Sequence, residues 1–258
     1  MRLRGTVHCD DNRTPHGATA LSTSKPDKRL MTIRNSVIAV VVLIITIVGG
    51  YGLFRSTAID VSGEFVEGTH YRVIEGAPPV PMNGPIRVTE FFSYGCVHCR
   101  NFDSIVTDWS SNLPKDVSFD RSPVSFSPTF VLLGQTYYAL LSTNTLEQNH
   151  DRIFKAIHDN GKQFLSAEMI ADFVNEHGIT REAFLAALDA PATTRSMAEA
   201  AKRDRASRIN GVPAVTVADH YSINMDSVPR KKAFEVVDFL IAKIRAERAA
   251  KGVGSTAS

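Results

Sequence analysis

The sequence predicts an α/β domain interrupted by a block of helices and preceded by a transmembrane helix, and three observations carry that reading. A short run of β-branched and aromatic residues, 86–92, passes through Ser93-Tyr94-Gly95 straight into Cys96-Val97-His98-Cys99. Helical signals then continue from Ser127 to about Ala190 before two further short strands, and near the start residues 35–54 carry no charge around the core VIAVVVLIITIV. The 258 residues are 43% hydrophobic and 22% charged, which excludes a disordered or fibrous chain. A formal charge of +2 supplies no global field for a nucleic-acid partner, and three cysteines are too few for a disulfide-stapled scaffold.

Taken in order, residues 1–34 are polar without an apolar period and are expected to be a disordered cytoplasmic segment; Met31 is an alternative start, and Cys9 carries no function. Residues 35–54 at about 1.5 Å each reach roughly 30 Å, the thickness of bilayer hydrocarbon, so a signal-anchor helix is expected. The small residues Ser56-Thr57-Ala58 keep a cleaved leader open, although the apolar part of such leaders is usually about 7–15 residues. Arg2, Arg4, Arg13, Lys25, Lys28, Arg29 and Arg34 precede the apolar run, which places the N-terminus in the cytoplasm and the remainder outside the inner membrane.

Residues 55–63 read as a tether, 64–249 as the folded domain and 250–258 as a disordered tail. Residues 65–74 open the domain with β-favouring side chains. Residues 86–92 form a central strand. Phe102, Ile105, Val106 and Trp109 share one helical face that Leu113-Pro114 ends, and 117–124 is the next strand. Helices are expected over 129–142, 148–159, 166–177 and 180–189, an insertion of about 127–190. Thr193 is expected to cap a further helix to about residue 209. Gly211-Val212-Pro213 then leads into a hairpin of 214–217 and 221–223, and Phe234, Val237, Leu240, Ile241 and Ile244 stripe a closing helix over 229–249.

Chemistry concentrates at the C-x-x-C. A helix N-terminus presents unpaired N–H groups that favour negative charge, so Cys96 should ionise readily, while Cys99, one turn in, suits a resolving thiol. His98 between them can add positive charge. Three other readings stand beside redox chemistry: half of a zinc site, a structural disulfide, or two incidental buried thiols. The first lacks further ligands beyond the apolar segment, and the second closes too short a loop to stabilise much. No metal site is expected. His70, His150, His158, His177 and His220 read as surface or capping residues.

Glu90-Phe91-Phe92-Ser93-Tyr94-Gly95-Cys96-Val97-His98-Cys99, together with Gly211-Val212-Pro213-Ala214, resembles the DsbA family of thiol:disulfide oxidoreductases. The resemblance implies a thioredoxin-like fold with an inserted helical subdomain, and an oxidase that donates a Cys96–Cys99 disulfide to reduced exported client proteins without a bound cofactor. It also implies reoxidation by a quinone-linked DsbB-type membrane partner, and a catalytic domain in the periplasm, whether anchored or released by cleavage. Pro213 would follow a cis bond beside Cys96, with Val212 and Val97 touching the client. Glu90 would lie beneath the cysteines, against the alternative of an edge or pleat-exposed carboxylate, and His98 would assist Cys96, against a solvated imidazole. Two departures stand out: Val97 replaces the family's usual Pro, and the usual basic partner of the acidic residue is no Lys here, Arg121 being the nearest candidate. A disulfide isomerase or reductase, or a peptide-binding chaperone module without redox turnover, are the alternatives.

Overall fold

The computed structural model describes residues 65–254 together with Ile38, Val40 and Val41. Those three are helical and exposed; the rest of the expected membrane span 35–54, the segment 1–34 and the tether 55–63 lie outside the described residues. No helix among the described residues is long and apolar enough to cross a membrane.

A five-stranded sheet forms the centre, built from β1 (Tyr71–Val73), β2 (Ile86–Phe92), β3 (Val117–Pro123), β4 (Ala214–Val217) and β5 (Tyr221–Ile223) in the order β1-β5-β4-β2-β3. β2 runs parallel to β3 and antiparallel to β4, so both its edges are paired and both its faces are covered. That explains its sequence: six of its seven residues are buried, which suits near-continuous apolar and β-branched side chains rather than alternation. β1 is shorter than the expected 65–74. Gly68 at φ +84° turns the chain and donates to the Tyr71 carbonyl, so residues 66–70 are spent on a turn that only a glycine-compatible backbone allows.

Between β2 and β3 lies α1 (Val97–Ser110), and the expected helical block follows β3 as α2 (Pro128–Ser142), α3 (Leu146–His158), α4 (Ala167–Val174) and α5 (Arg181–Leu188). The next helix, α6, spans Pro191–Ala206. It does not start at a Thr193 cap: Pro191 occupies the first turn, where its missing N–H costs nothing, and the Thr193 hydroxyl instead donates to the Ala187 carbonyl at the end of α5. The closing helix α7 runs over Ala233–Gly254, past the expected tail boundary at 250. Ala249, Ala250 and Lys251 are strong helix formers, and Gly252 and Gly254 cost only about 1 kcal/mol each, so the last turn continues.

Two apolar clusters result. In one, Phe102 and Val106 of α1 and Phe234, Val237, Leu240 and Ile244 of α7 pack on the sheet around Val88 and Val217. In the other, Phe92, Tyr94 and Cys99 pack against Leu133, Leu140, Ile153, Phe154 and Phe184 of the inserted helices. Helix α1 contributes to both, and the cysteines stand at its end facing the inserted block. That block starts at a cap: the Ser127 hydroxyl accepts from the Phe130 N–H at 3.2 Å. Ser127→Ala is expected to lower stability by about 1 kcal/mol, read as a shift in the urea midpoint at unchanged m-value.

Candidate active site

Cys96 is the N-cap of α1, placed there by a tight turn in which Ser93 accepts from the Cys96 N–H at 3.0 Å and its hydroxyl accepts from the Gly95 N–H. Gly95 has no room for a side chain, because a Cβ would sit 2.8 Å from the Phe130 ring. The Cys96 sulfur accepts from the Cys99 N–H at 3.3 Å, and its thiol donates to the Val212 carbonyl at 3.4 Å, 116 residues away in sequence. The Val212–Pro213 bond is cis. Val97 and His98 are exposed, Cys96 is partly exposed and Cys99 is fully buried. The structure thus gathers Cys96, Val97, His98, Cys99, Val212 and Pro213 into one site, with Cys99 and Pro213 buried beneath it and a single accessible sulfur.

Electrostatics separate the two thiols, both of which are free. A hydrogen bond from the Cys99 side chain, opposed by burial, and N–H donation from Cys99 and His98, aided by the His98 charge, lower Cys96 to about 6. Burial, and then the thiolate beside it, push Cys99 far up. Alkylation of the dithiol is expected to label Cys96 first, with a rate that rises through about pH 6; equal labelling of both sulfurs would contradict this geometry. The sign for stability follows. The folded value lies below the unfolded one of about 8.5, so the dithiol form gains stability as pH rises from about 6 toward that value and loses it as pH falls through 6.

Beneath the cysteines runs a polar chain. Glu90, 2% exposed on β2, faces Arg121 directly across the parallel β3 register and accepts from its Nε at 2.9 Å. The edge or pleat-exposed reading of Glu90 is thereby overturned, since β2 is an interior strand paired on both edges and Glu90 is buried on it. Burial raises Glu90 to about 7 against the pull of the Arg121 charge. Arg121 also donates to Asp103 at 2.9 Å. Asp103 meets His150 Nε2 at 2.9 Å, and His150 Nδ1 meets the Tyr94 hydroxyl at 2.7 Å. His150 is not a surface or capping residue: it is buried among Phe92, Tyr94 and Phe154, and burial lowers its imidazole below the ordinary value despite the Asp103 bond. Of the other four histidines, His70 accepts from the Val66 N–H, while His158, His177 and His220 donate to the carbonyls of Tyr94, Asn175 and Pro78.

Asp103, His150 and the Tyr94 hydroxyl are the members that sequence reasoning missed. Asp103 gave no sequence signal: it falls about 100° round α1 from Phe102, beside the apolar stripe where a polar residue is ordinary, and only the packing buries it.

Comparison with known proteins bears on the same region. Residues 87–233 match the family described as DSBA-like thioredoxin domain. The thiol:disulfide interchange protein DsbA of Azotobacter vinelandii is 35% identical over 179 residues, covering 69% of this chain and 84% of that protein. The crystal structure of Pseudomonas aeruginosa DsbA aligns with a TM-score of 0.66 at 32% identity, covering 73% of this chain and 97% of that one. The oxidoreductase DsbA from Xylella fastidiosa aligns with a TM-score of 0.66 at 27% identity, over 70% and 98%.

Proposed function

Because this chain belongs to the DsbA-like thioredoxin family, we propose that Cys96 exchanges with client thiols and Cys99 closes the disulfide behind it. The chain is a thiol:disulfide oxidoreductase that donates a disulfide to exported proteins. The observation that carries the assignment of roles is the pairing of one accessible, stabilised sulfur with one buried sulfur at the same helix end.

In the oxidised chain a client thiolate attacks the Cys96 sulfur, the Cys96–Cys99 bond breaks, and the electron pair leaves on Cys99, which takes up a proton. A second client thiolate then attacks the client sulfur of the mixed disulfide. Cys96 leaves as a thiolate, which the donors already pointed at it stabilise, and the client carries the disulfide. Two electrons pass from client to enzyme; of the two client thiol protons one ends on Cys99 and the other goes to solvent, because Cys96 stays ionised. A well-stabilised Cys96 thiolate is a good leaving group, so the dithiol product is favoured and the disulfide is oxidising.

The remaining roles follow from position. His98 adds charge next to the leaving sulfur. Val212 offers main chain to an extended client in strand-like fashion, and Pro213 covers the disulfide without an N–H to compete for it. Val97, exposed beside Cys96, contacts the client. Glu90 couples electrostatically to both sulfurs and is the buried carboxyl that receives or returns the Cys99 proton. Its value of about 7 suits proton exchange near neutrality. Reoxidation falls to a membrane partner of the DsbB type that passes the electrons to a quinone. The uncharged run 35–54 with its basic flank supports anchoring in the inner membrane with the catalytic domain in the periplasm.

Mixing the oxidised chain with a reduced, unfolded two-cysteine peptide is expected to transfer the disulfide one for one, with two thiols lost by the peptide and two gained by the chain on thiol titration. Persistence of both starting states would overturn the oxidoreductase assignment.

A further inference from the structure

We propose that the cleft beside Val212–Pro213 selects client segments carrying acidic residues next to the reacting cysteine. The inference rests on the oxidoreductase reading and names the clients that reading leaves open. The cleft has a volume of about 380 Å³, and Val212, Pro213 and His98 form its catalytic side. Its other walls bring together Arg72 from the edge strand β1, Arg208 from the loop ahead of Val212, and Arg230 from the turn before α7. Asp226 is the single carboxylate among the lining residues. Arg208 shares its charge with Glu75 at 3.0 Å, whereas Arg72 and Arg230 form no ion pair among the described residues. With Glu75 offsetting Arg208, the guanidiniums of Arg72 and Arg230 against Asp226 leave the concave site a net positive potential.

The location makes this potential relevant to clients. Val212 both lines the cleft and holds the Cys96 thiol at 3.4 Å, so a client bonded to Cys96 must pass its neighbouring residues over the cleft mouth. An extended chain advances about 3.3 Å per residue, which brings positions within two or three of the client cysteine into reach. Guanidinium forks match carboxylates in geometry as well as charge. A concave site bordered by Val212 and His98, the neighbours of the sulfur, favours a peptide over a membrane surface, which would need a flat face.

Three peptides with the same reduced cysteine pair, flanked by Asp, Asn or Lys, test the proposal. The expected order of oxidation rate is Asp over Asn over Lys, by roughly threefold per flanking charge at low ionic strength, shrinking as salt is added. Arg72→Glu combined with Arg230→Glu should reduce or invert the Asp-to-Asn ratio. Equal wild-type rates for the three peptides, or an unaltered ratio in the double variant, would overturn the proposal. So would a preference for anionic phosphatidylglycerol over neutral vesicles that the double variant loses and that displaces no acidic peptide. Fluorescence anisotropy of the same peptides on a Cys96→Ala/Cys99→Ala chain separates the two layers. Preference without any turnover in the wild type would discard the oxidoreductase reading and keep the cleft, while turnover without preference would discard the cleft alone.

Discussion

Cys99→Ala is expected to leave the chain covalently caught on its clients, while Cys96→Ala abolishes disulfide transfer. The asymmetry follows from burial. Cys96 presents its sulfur at the surface with Cys99 N–H and the Val212 carbonyl on either side, and Cys99 is closed off within the cluster of Phe92, Tyr94 and Leu133. A Cys99→Ala chain can still form the mixed disulfide through Cys96 when it meets a client disulfide, but it has lost the internal thiol that would release the client again. A Cys96→Ala chain has only a buried thiol that burial holds protonated. Non-reducing electrophoresis of exported fractions, with mass spectrometry of the slower bands, should show client adducts for Cys99→Ala and none for Cys96→Ala. Adducts on Cys99 in the second variant would reverse the assigned roles.

Arg121→Ala is expected to cost about 3–5 kcal/mol of unfolding free energy, because it strands the buried Glu90 carboxyl and leaves Asp103 with His150 as its remaining partner. Arg121 donates to Glu90 and Asp103, and neither carboxylate has solvent to turn to. The deficit should depend on pH in a definite direction. Glu90 has a folded value of about 7, above the unfolded value of about 4.3, so its contribution to stability is fullest below the unfolded value and is lost as pH rises through 7. Removing the guanidinium makes the ionised Glu90 costlier still, so the gap between variant and wild type widens from pH 5 to pH 8. Arg121→Lys retains the charge but not the two-armed geometry, and should recover part of the loss. Urea titrations at the two pH values check this, and a gap that narrows at high pH would contradict the pairing.

How far the site was legible depended on distance along the chain. The strand-to-helix junction at Cys96, the βαβ unit, the inserted helices and the hairpin were all readable, because β-branching, helical period and capping act over a few residues. Helix ends drifted where one competing local feature decided them, as with Pro191 at the start of α6 or the run of good helix formers that carries α7 to Gly254. The different placement of the two thiols was also readable, since N-cap and first-turn positions differ by three residues.

Only the tertiary structure decided the environment of those thiols. His150 lies 47 residues from Asp103, and its sequence neighbours, Asn149 and Asp151, are those of a solvated helix; the fold encloses it with Tyr94 and makes it a buried link. Glu90 and Arg121 are 31 residues apart, and their pairing required the parallel register of β2 with β3. Arg72, Arg208 and Arg230 belong to three segments with nothing in common in sequence, and the antiparallel pairing of β1 with β5 brings the first toward the others. Residue type and local spacing determine what a side chain can do chemically. The cost of leaving a polar group unpaired away from water determines which partner it must find, and that partner is chosen by the packing of the whole chain.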